Sequence, residues 1–456
     1  MLTQAIKHSM TSFALVVLVL AAIASALSAP ACQTLAPTQQ ALDLPSGNLT
    51  LHDRPFGIVF ASNDLAFSAI GGALAVLNTT ALEPTLLHLL PFPRDFYDSG
   101  DGAGGLAITQ DKSTVYVATG QGAVVFDVDK ASAGFNNSII GLLRGTVGTS
   151  AIHVTLSANE DLAFVSQEYG SKNATKSRGA IEVFELRRSD NGSLSGDQLG
   201  YATLDYALVG TALSADGSLL YGLSELTVEA FKTNTTGGSL SVLDVTTLQT
   251  HPAHALLRSV PAGCEPVRVV LSPDGNQVWV SARASNMLLA FDASALATNG
   301  TAQDALVARV QVGDAPVGVA LVNNGSYVVT ADSNRFNKTG AVSGLTFVDV
   351  QAALTGTQAF ARLPTGLFPR EFGVSPDGNK LLVSQYDSFA IQAVDVSHLG
   401  NTSYNSTWPS GPKPLPSTGG AGRARASNLL GLDLIHFGGF GQLLTPVLLA
   451  GALLVV

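Results

Sequence analysis

Charge is what this sequence has least of. Only 13% of its 456 residues are charged, and 24 Lys and Arg stand against 34 Asp and Glu, for a net charge of -10. A chain so poor in cations cannot neutralise a phosphate backbone or an anionic lipid surface, so nucleic acid is excluded as a partner. Cysteine is nearly absent too. Cys32 and Cys264 form no CxxC pair, which excludes a zinc ribbon or a dithiol redox site. The eight histidines are scattered without an H-E-x-x-H, and no G-x-S-x-G elbow is present. One run, "GDGAGG" at 100–105, has the spacing of a dinucleotide loop, but the strand-like "LAIT" follows it where a phosphate-binding helix is required. It reads as a flexible junction. Asp98 and Asp101 lack calcium-loop spacing around them. No cofactor and no metal are expected.

What the sequence does have is repetition. "LSPDGNQVWV" at 271–280 sets Pro273, Asp274 and Gly275 between two valine-rich runs. Pro273 suits the first central position of a type I turn, Asp274 bonds the backbone locally, and Gly275 takes the left-handed conformation that closes a hairpin. Equivalent turns stand at Asn63, Asp111, Asn159, Asp216, Asn324 and Asp377. After each comes a β-rich run ending in an acid or amide: Asn78, Asp127, Glu185, Asp244, Asp292, Asp349 and Asp395. Two markers recur in fixed order with a period of roughly fifty residues, and no helical periodicity lies between them. A β-helix coil is shorter and a β-sandwich less regular. The fold class is therefore all-β: a seven-bladed β-propeller over 41–399. Its last repeat runs out after three strands, and the N-terminal stretch "ALDLPSGNLTLHDRPFG" resembles a blade junction, so an N-terminal strand is expected to close the ring.

The ends of the chain address it. Residues 1–31 carry Lys7, an apolar run too short to span a membrane and small residues at a cleavage site, the pattern of a signal peptide. A Pro, Gly and Ser-rich linker at 400–427 precedes an apolar tail at 428–456 with no charge after Asp433. That is the pattern of a GPI signal whose tail is removed, with a single-pass anchor as the alternative. Eleven Asn-x-Ser/Thr acceptors occur, at Asn48, Asn78, Asn136, Asn173, Asn191, Asn234, Asn299, Asn324, Asn337, Asn401 and Asn405. The expected location is the cell surface, at the outer membrane leaflet through a lipid anchor or in the cell wall. In that oxidising compartment Cys32 and Cys264 could form a disulfide.

The blade pattern resembles the YVTN-type repeats of surface-layer propellers and the lactonase-like seven-bladed propellers, which include muconate-lactonising enzymes and 6-phosphogluconolactonases. The resemblance covers about 54–399 and implies a central site. The enzymes of that group read Pro-Arg-His in the last blade. Here "FPREFG" has Pro369 and Arg370, with Glu371 in the His place and Tyr386 near the place of a family Glu. A His-x-His pair of an earlier blade is represented by His153 alone. Arg370, Glu371 and His153 are accordingly the candidate catalytic residues.

Geometry of the repeat adds a second reading. Loops between second and third strands share a face with the blade junctions, and these loops are long in blades three, four and six, which favours binding there. Arg54, Asp101, Glu265, Asp314, Arg370 and Glu371 fall at the junctions, as a ligand-binding ring or as pairs that hold neighbouring blades. Most glycan acceptors fall on the opposite, hairpin face. One function reading is a surface binding module for a cell-wall component, a small polar ligand or a surface protein. The alternative is a lactonase-like or cyclase-like enzyme.

Overall fold

The computed structural model describes Cys32 and residues 40–94, 96, 103–170, 177–298, 302–336, 342–356 and 360–399. The signal peptide, the linker and tail, Asp98, Asp101 and the acceptors Asn173, Asn299, Asn337, Asn401 and Asn405 lie outside the described residues. Among the described residues no helix is long and apolar enough to cross a membrane.

Seven antiparallel four-strand blades follow one another, each beginning at the centre. Their inner strands are Pro55–Ser62, Ala103–Ile108, Ser150–Leu156, Tyr206–Leu213, Pro266–Leu271, Pro316–Val322 and Pro369–Val374. Each inner strand touches the next, and the seventh returns to the first, so the ring is closed.

The hairpin marker works as its residue types require. In blade five the Ser272 hydroxyl donates to Asp274 Oδ1 at 2.5 Å, the Asn276 amide donates to the same oxygen at 3.1 Å, and the Gln277 amide donates to Ser272 Oγ at 2.9 Å. Gly275 takes φ +74°. The same three bonds recur around Asp111, Asp216 and Asp377. Bonds from the neighbouring hydroxyl, then from the backbone amide, hold all four carboxyls below the usual carboxylate range.

The second marker has a structural meaning that periodicity did not reveal. Asp127, Asp244, Asp292 and Asp349 each end a third strand and cap a short helix, accepting from the amide three residues on. These helices are absent from the sequence reading because five or six residues are too few to show a 3.6 period.

Strand residues alternate between two neighbours, and both neighbours are blades. In the second strand of blade one, Phe67 and Ala69 face blade two while Ala66 and Ile70 face blade seven. Val278 and Val280 join the interface of blades four and five; Trp279, fully buried, joins that of blades five and six. Seven such interfaces form the core. Both strand faces are covered, so the runs read as nearly continuous apolar stretches rather than strict alternation. An eighth cluster, Val209, Val267 and Val317, comes from three adjacent inner strands. Those strands approach so closely that a Cβ on Gly210 would sit 2.7 Å from the Val267 carbonyl oxygen.

Closure is by Ser46–Thr50, which runs antiparallel to Ala390–Asp395 and supplies the fourth strand of blade seven. The N-terminal segment does more than that. Gln40–Ala41 adds in parallel to Phe360–Pro364 of blade six, and Leu42 and Leu44 are buried between blades six and seven. Cys32 is joined to Cys264 with a Cα–Cα distance of 5.6 Å, which ties the start of this segment to the end of blade four.

Candidate functional site

Counting from the hairpin hydroxyl aligns the blades chemically. Glu168, Glu225, Arg283 and Tyr386 each stand 11 residues after Ser157, Ser214, Ser272 and Ser375 respectively. They are one repeat position in blades three, four, five and seven, at or just past the end of the second strand and hence on the junction face. His153, Gly210, Arg268 and Glu371 each stand 4 residues before the same serines, on the inner strands.

The inner-strand position makes a charged crosslink. Arg268 lies 2.5 Å from Glu371, with side chains 6% and 13% exposed, and it reaches across blade six, whose inner strand carries Gly318 at this level. Arg268 also donates to the Val209 and Val267 carbonyls at 2.5 and 3.1 Å. Glu371 is thus committed to a partner. His153 is half-buried, with Nδ1 3.1 Å from Thr211 Oγ1; desolvation, then the Arg268 charge, lowers its pKa to about 3, so it is neutral at pH 7.

Nearer the junction face sits an aromatic and ionic mouth. The buried Arg370 guanidinium lies 3.9 Å from the Phe56 ring centre, 5.2 Å from Tyr386 and 5.5 Å from Phe368. Tyr386 meets Phe56 and Phe368 edge-on. Burial, then the Arg268 charge, brings the Arg370 pKa down to about 10, still fully charged at pH 7. Arg283 bridges Glu225 at 3.0 Å and Glu265 at 2.8 Å. Glu265 and Phe368, each the residue before an inner-strand proline, both take a left-handed backbone, φ +48° and +50°, a conformation that costs non-glycine residues about 1–2 kcal/mol. Glu168 is fully buried, and burial, then the Glu225 charge, pushes its carboxyl up to about 7 against the pull of Arg370.

Of the residues singled out in the sequence, Arg370 and Glu265 lie in this mouth. Glu371 is on the crosslink beneath it and His153 stands half-buried beside Gly105. Arg54 is on the rim, half-exposed, 3.5 Å from Asp387 and 5.2 Å from the Tyr386 ring centre. Asp314 is one of the junction residues read either as a ring member or as part of a pair between neighbouring blades. It is buried between blades five and six, where Asn286 Nδ2 donates to it at 3.4 Å, because a polar group in that interface needs a partner from the next blade. Asp101 lies outside the described residues. Sequence reasoning missed Glu168, Glu225, Arg268 and Arg283. The signal was there in the repeat columns, where charged residues replace the glycines and small residues of other blades.

A family model described as lactonase, 7-bladed beta-propeller, matches residues 211–337. The whole chain folds as a seven-bladed β-propeller, and over that stretch it is similar to the lactonases of this fold. The matched stretch contains Glu225, Glu265, Arg268 and Arg283 but not His153, Arg370 or Glu371. No curated protein matches the chain. Among solved structures, a chain of "Crystal Structure of Mitotic Checkpoint Complex" is 14% identical over 80% of this chain and 93% of that one, with a TM-score of 0.54. "Kuenenia stuttgartiensis Hydrazine Synthase" is 16% identical over 80% of this chain and 99% of that one, also at 0.54. At such identities the likeness of this propeller to them is one of fold alone.

Proposed function

We propose that this lactonase-like propeller is a cell-surface binding module, N-glycosylated and held by a GPI anchor, that takes a small polar ligand at the mouth on its junction face. One observation carries the reading: Arg370 in its aromatic enclosure and the Glu225–Arg283–Glu265 triad converge there, while the groups a hydrolase would use are engaged elsewhere. Glu371 is bound to Arg268, and His153 is a half-buried neutral ring against Thr211. Converging charges in a partly desolvated concavity orient a polar ligand more strongly than in open water.

Glu168 favours a second reading. A carboxyl poised near pH 7 beside an arginine suits general acid–base work on a lactone, with the arginine stabilising the oxyanion. Purified protein assayed against a lactone panel, with Arg370→Ala as control, separates the two. The binding reading expects no turnover above background and a ligand affinity that falls at least tenfold in Arg370→Ala. Turnover abolished by that substitution would establish the enzyme instead.

A further inference from the structure

Blade three carries a carboxylate that the repeat does not call for. Glu182 stands 3 residues before the marker Glu185, and the same place in the other blades holds Ala75, Val124, Ser241, Leu289, Thr346 and Gln392. Only here is it charged, and the side chain is buried at 1% exposure. The loop joining blades two and three is folded onto it: the Thr146 amide donates to Oε1 at 2.9 Å, and a Cβ on Gly145 would sit 2.0 Å from Oε2. Gln198 donates to Oε1 at 3.1 Å and Gln167 to Oε2 at 2.7 Å. A carboxylate oxygen has two lone pairs, so Oε2 keeps an acceptor position among the described residues. The register sets what lies beside it. Glu182 is directly opposite Tyr201 and Ala180 opposite Thr203, across the third strand Ala180–Arg188 and the fourth Leu194–Thr203, so Tyr201 and Thr203 share its side of the sheet. With Thr146 and Arg178 they line a cavity of about 310 Å³ on the side of blade three that faces blade two.

Arg178 is exposed, donates from Nε to the Leu204 carbonyl at 2.5 Å, and pairs with no carboxylate among the described residues. An anion and a cation thus line one cavity without meeting. Their charges cancel, so a charged ligand gains no net attraction there. Hydroxyls, by contrast, suit both: Glu182 Oε2 accepts, the guanidinium donates, and the threonine hydroxyls do either. Tyr201, 52% exposed, adds the apolar face of its ring. A ligand that answers all of these has neighbouring hydroxyls at its edge and C–H groups on its face, as a sugar ring does. We propose that this cavity is a saccharide site, sharing no residue with the mouth, in which Tyr201 stacks on the sugar while Glu182, Arg178, Thr146 and Thr203 bond its hydroxyls. Its volume is at the small end of ligand cavities, so it encloses a short unit rather than a long chain.

Two sources can supply the sugar: an external glycan, or the chain's own glycan at Asn173, which in sequence lies between Gly170 and Ser177 of the cavity wall. Cellobiose, chitobiose and mannobiose are titrated into the purified secreted chain and into its Asn173→Gln variant, with saturation-transfer NMR as the readout. Binding to both assigns the site to an external glycan; binding to the variant alone assigns it to the chain's own. Either result carries the proposal. In the chain that binds, Tyr201→Ala and Arg178→Met should each weaken binding about tenfold, whereas Tyr201→Trp, which keeps a stacking face, should retain it. Tyr201 and Arg178 are exposed, so their replacement costs little stability. Glu182→Gln should also lose about tenfold, and if it fails to fold the other two variants decide. No binding of any of the three sugars to either chain overturns the site. So does binding that Tyr201→Ala leaves within about twofold of the parent, which would place the sugar elsewhere on the propeller. Neither outcome touches the reading of the mouth, which rests on its own assay.

Discussion

Replacing Arg268 by Met should destabilise the propeller by about 3–5 kcal/mol, because it leaves the Glu371 carboxylate nearly buried without its cation. The two groups are 2.5 Å apart with side chains 6% and 13% exposed, so solvent cannot take over from the lost partner. Arg268 also satisfies the Val209 and Val267 carbonyls, each bond adding about 1 kcal/mol to the loss. Glu371→Leu should cost less, since the guanidinium keeps both carbonyls and the Phe56 ring, 5.8 Å away at its centre. The double variant is the informative one. Met and Leu together place apolar groups near the Val209, Val267 and Val317 cluster, and their combined cost should fall short of the sum of the singles by about 2 kcal/mol. Urea unfolding, followed by circular dichroism and by the fluorescence of the buried Trp279, measures all four corners of the cycle. Additive costs, or singles within about 0.5 kcal/mol of wild type, would refute the view that this crosslink is a structural pair and would return Glu371 to the candidate catalytic groups.

Other outcomes follow from the same geometry. Leu42→Ala and Leu44→Ala, each buried at 4% exposure, should cost about 2–5 kcal/mol apiece, and removal of 41–52 should give aggregation or proteolysis; a soluble, cooperatively folding deletion variant would show that the ring does not need its latch. Glu168 has a folded pKa above its unfolded one, so the stability it contributes is complete below about pH 4.5 and is lost as pH rises through about 7. Glu168→Gln should thus be more stable than wild type at pH 8 by about 3 kcal/mol and little different at pH 4, and equal urea midpoints at pH 8 would contradict the raised pKa. Phosphatidylinositol-specific phospholipase C should release the protein from cells. Retention after treatment, with recovery of a peptide spanning Leu448 to Val456, would replace the lipid anchor by a spanning one.

Most of the architecture was legible because a propeller states itself locally. Each hairpin is specified within a few residues, Ser272 to Gln277 in blade five, and repetition of that signal along the chain counts the blades without any knowledge of distant contacts. The missing fourth strand of the last repeat announced the closure, since an unpaired sheet edge demands a partner and only the N-terminal segment resembled one. The short helices behind Asp127, Asp244, Asp292 and Asp349 were written in the sequence as capping acids but not as periodicity, and one turn of helix has no period to detect. Only the tertiary structure decided what the charged residues do. Arg268 and Glu371 are separated by about a hundred residues, and they meet because the ring sets blades five and seven on either side of a glycine-bearing strand. Asp314 and Glu265 look alike at two successive junctions, yet one is turned into a blade interface and the other toward Arg283. Local sequence carries hydrogen-bonding and packing preferences within a blade. Which buried charge faces which depends on the closure of all seven blades around one axis.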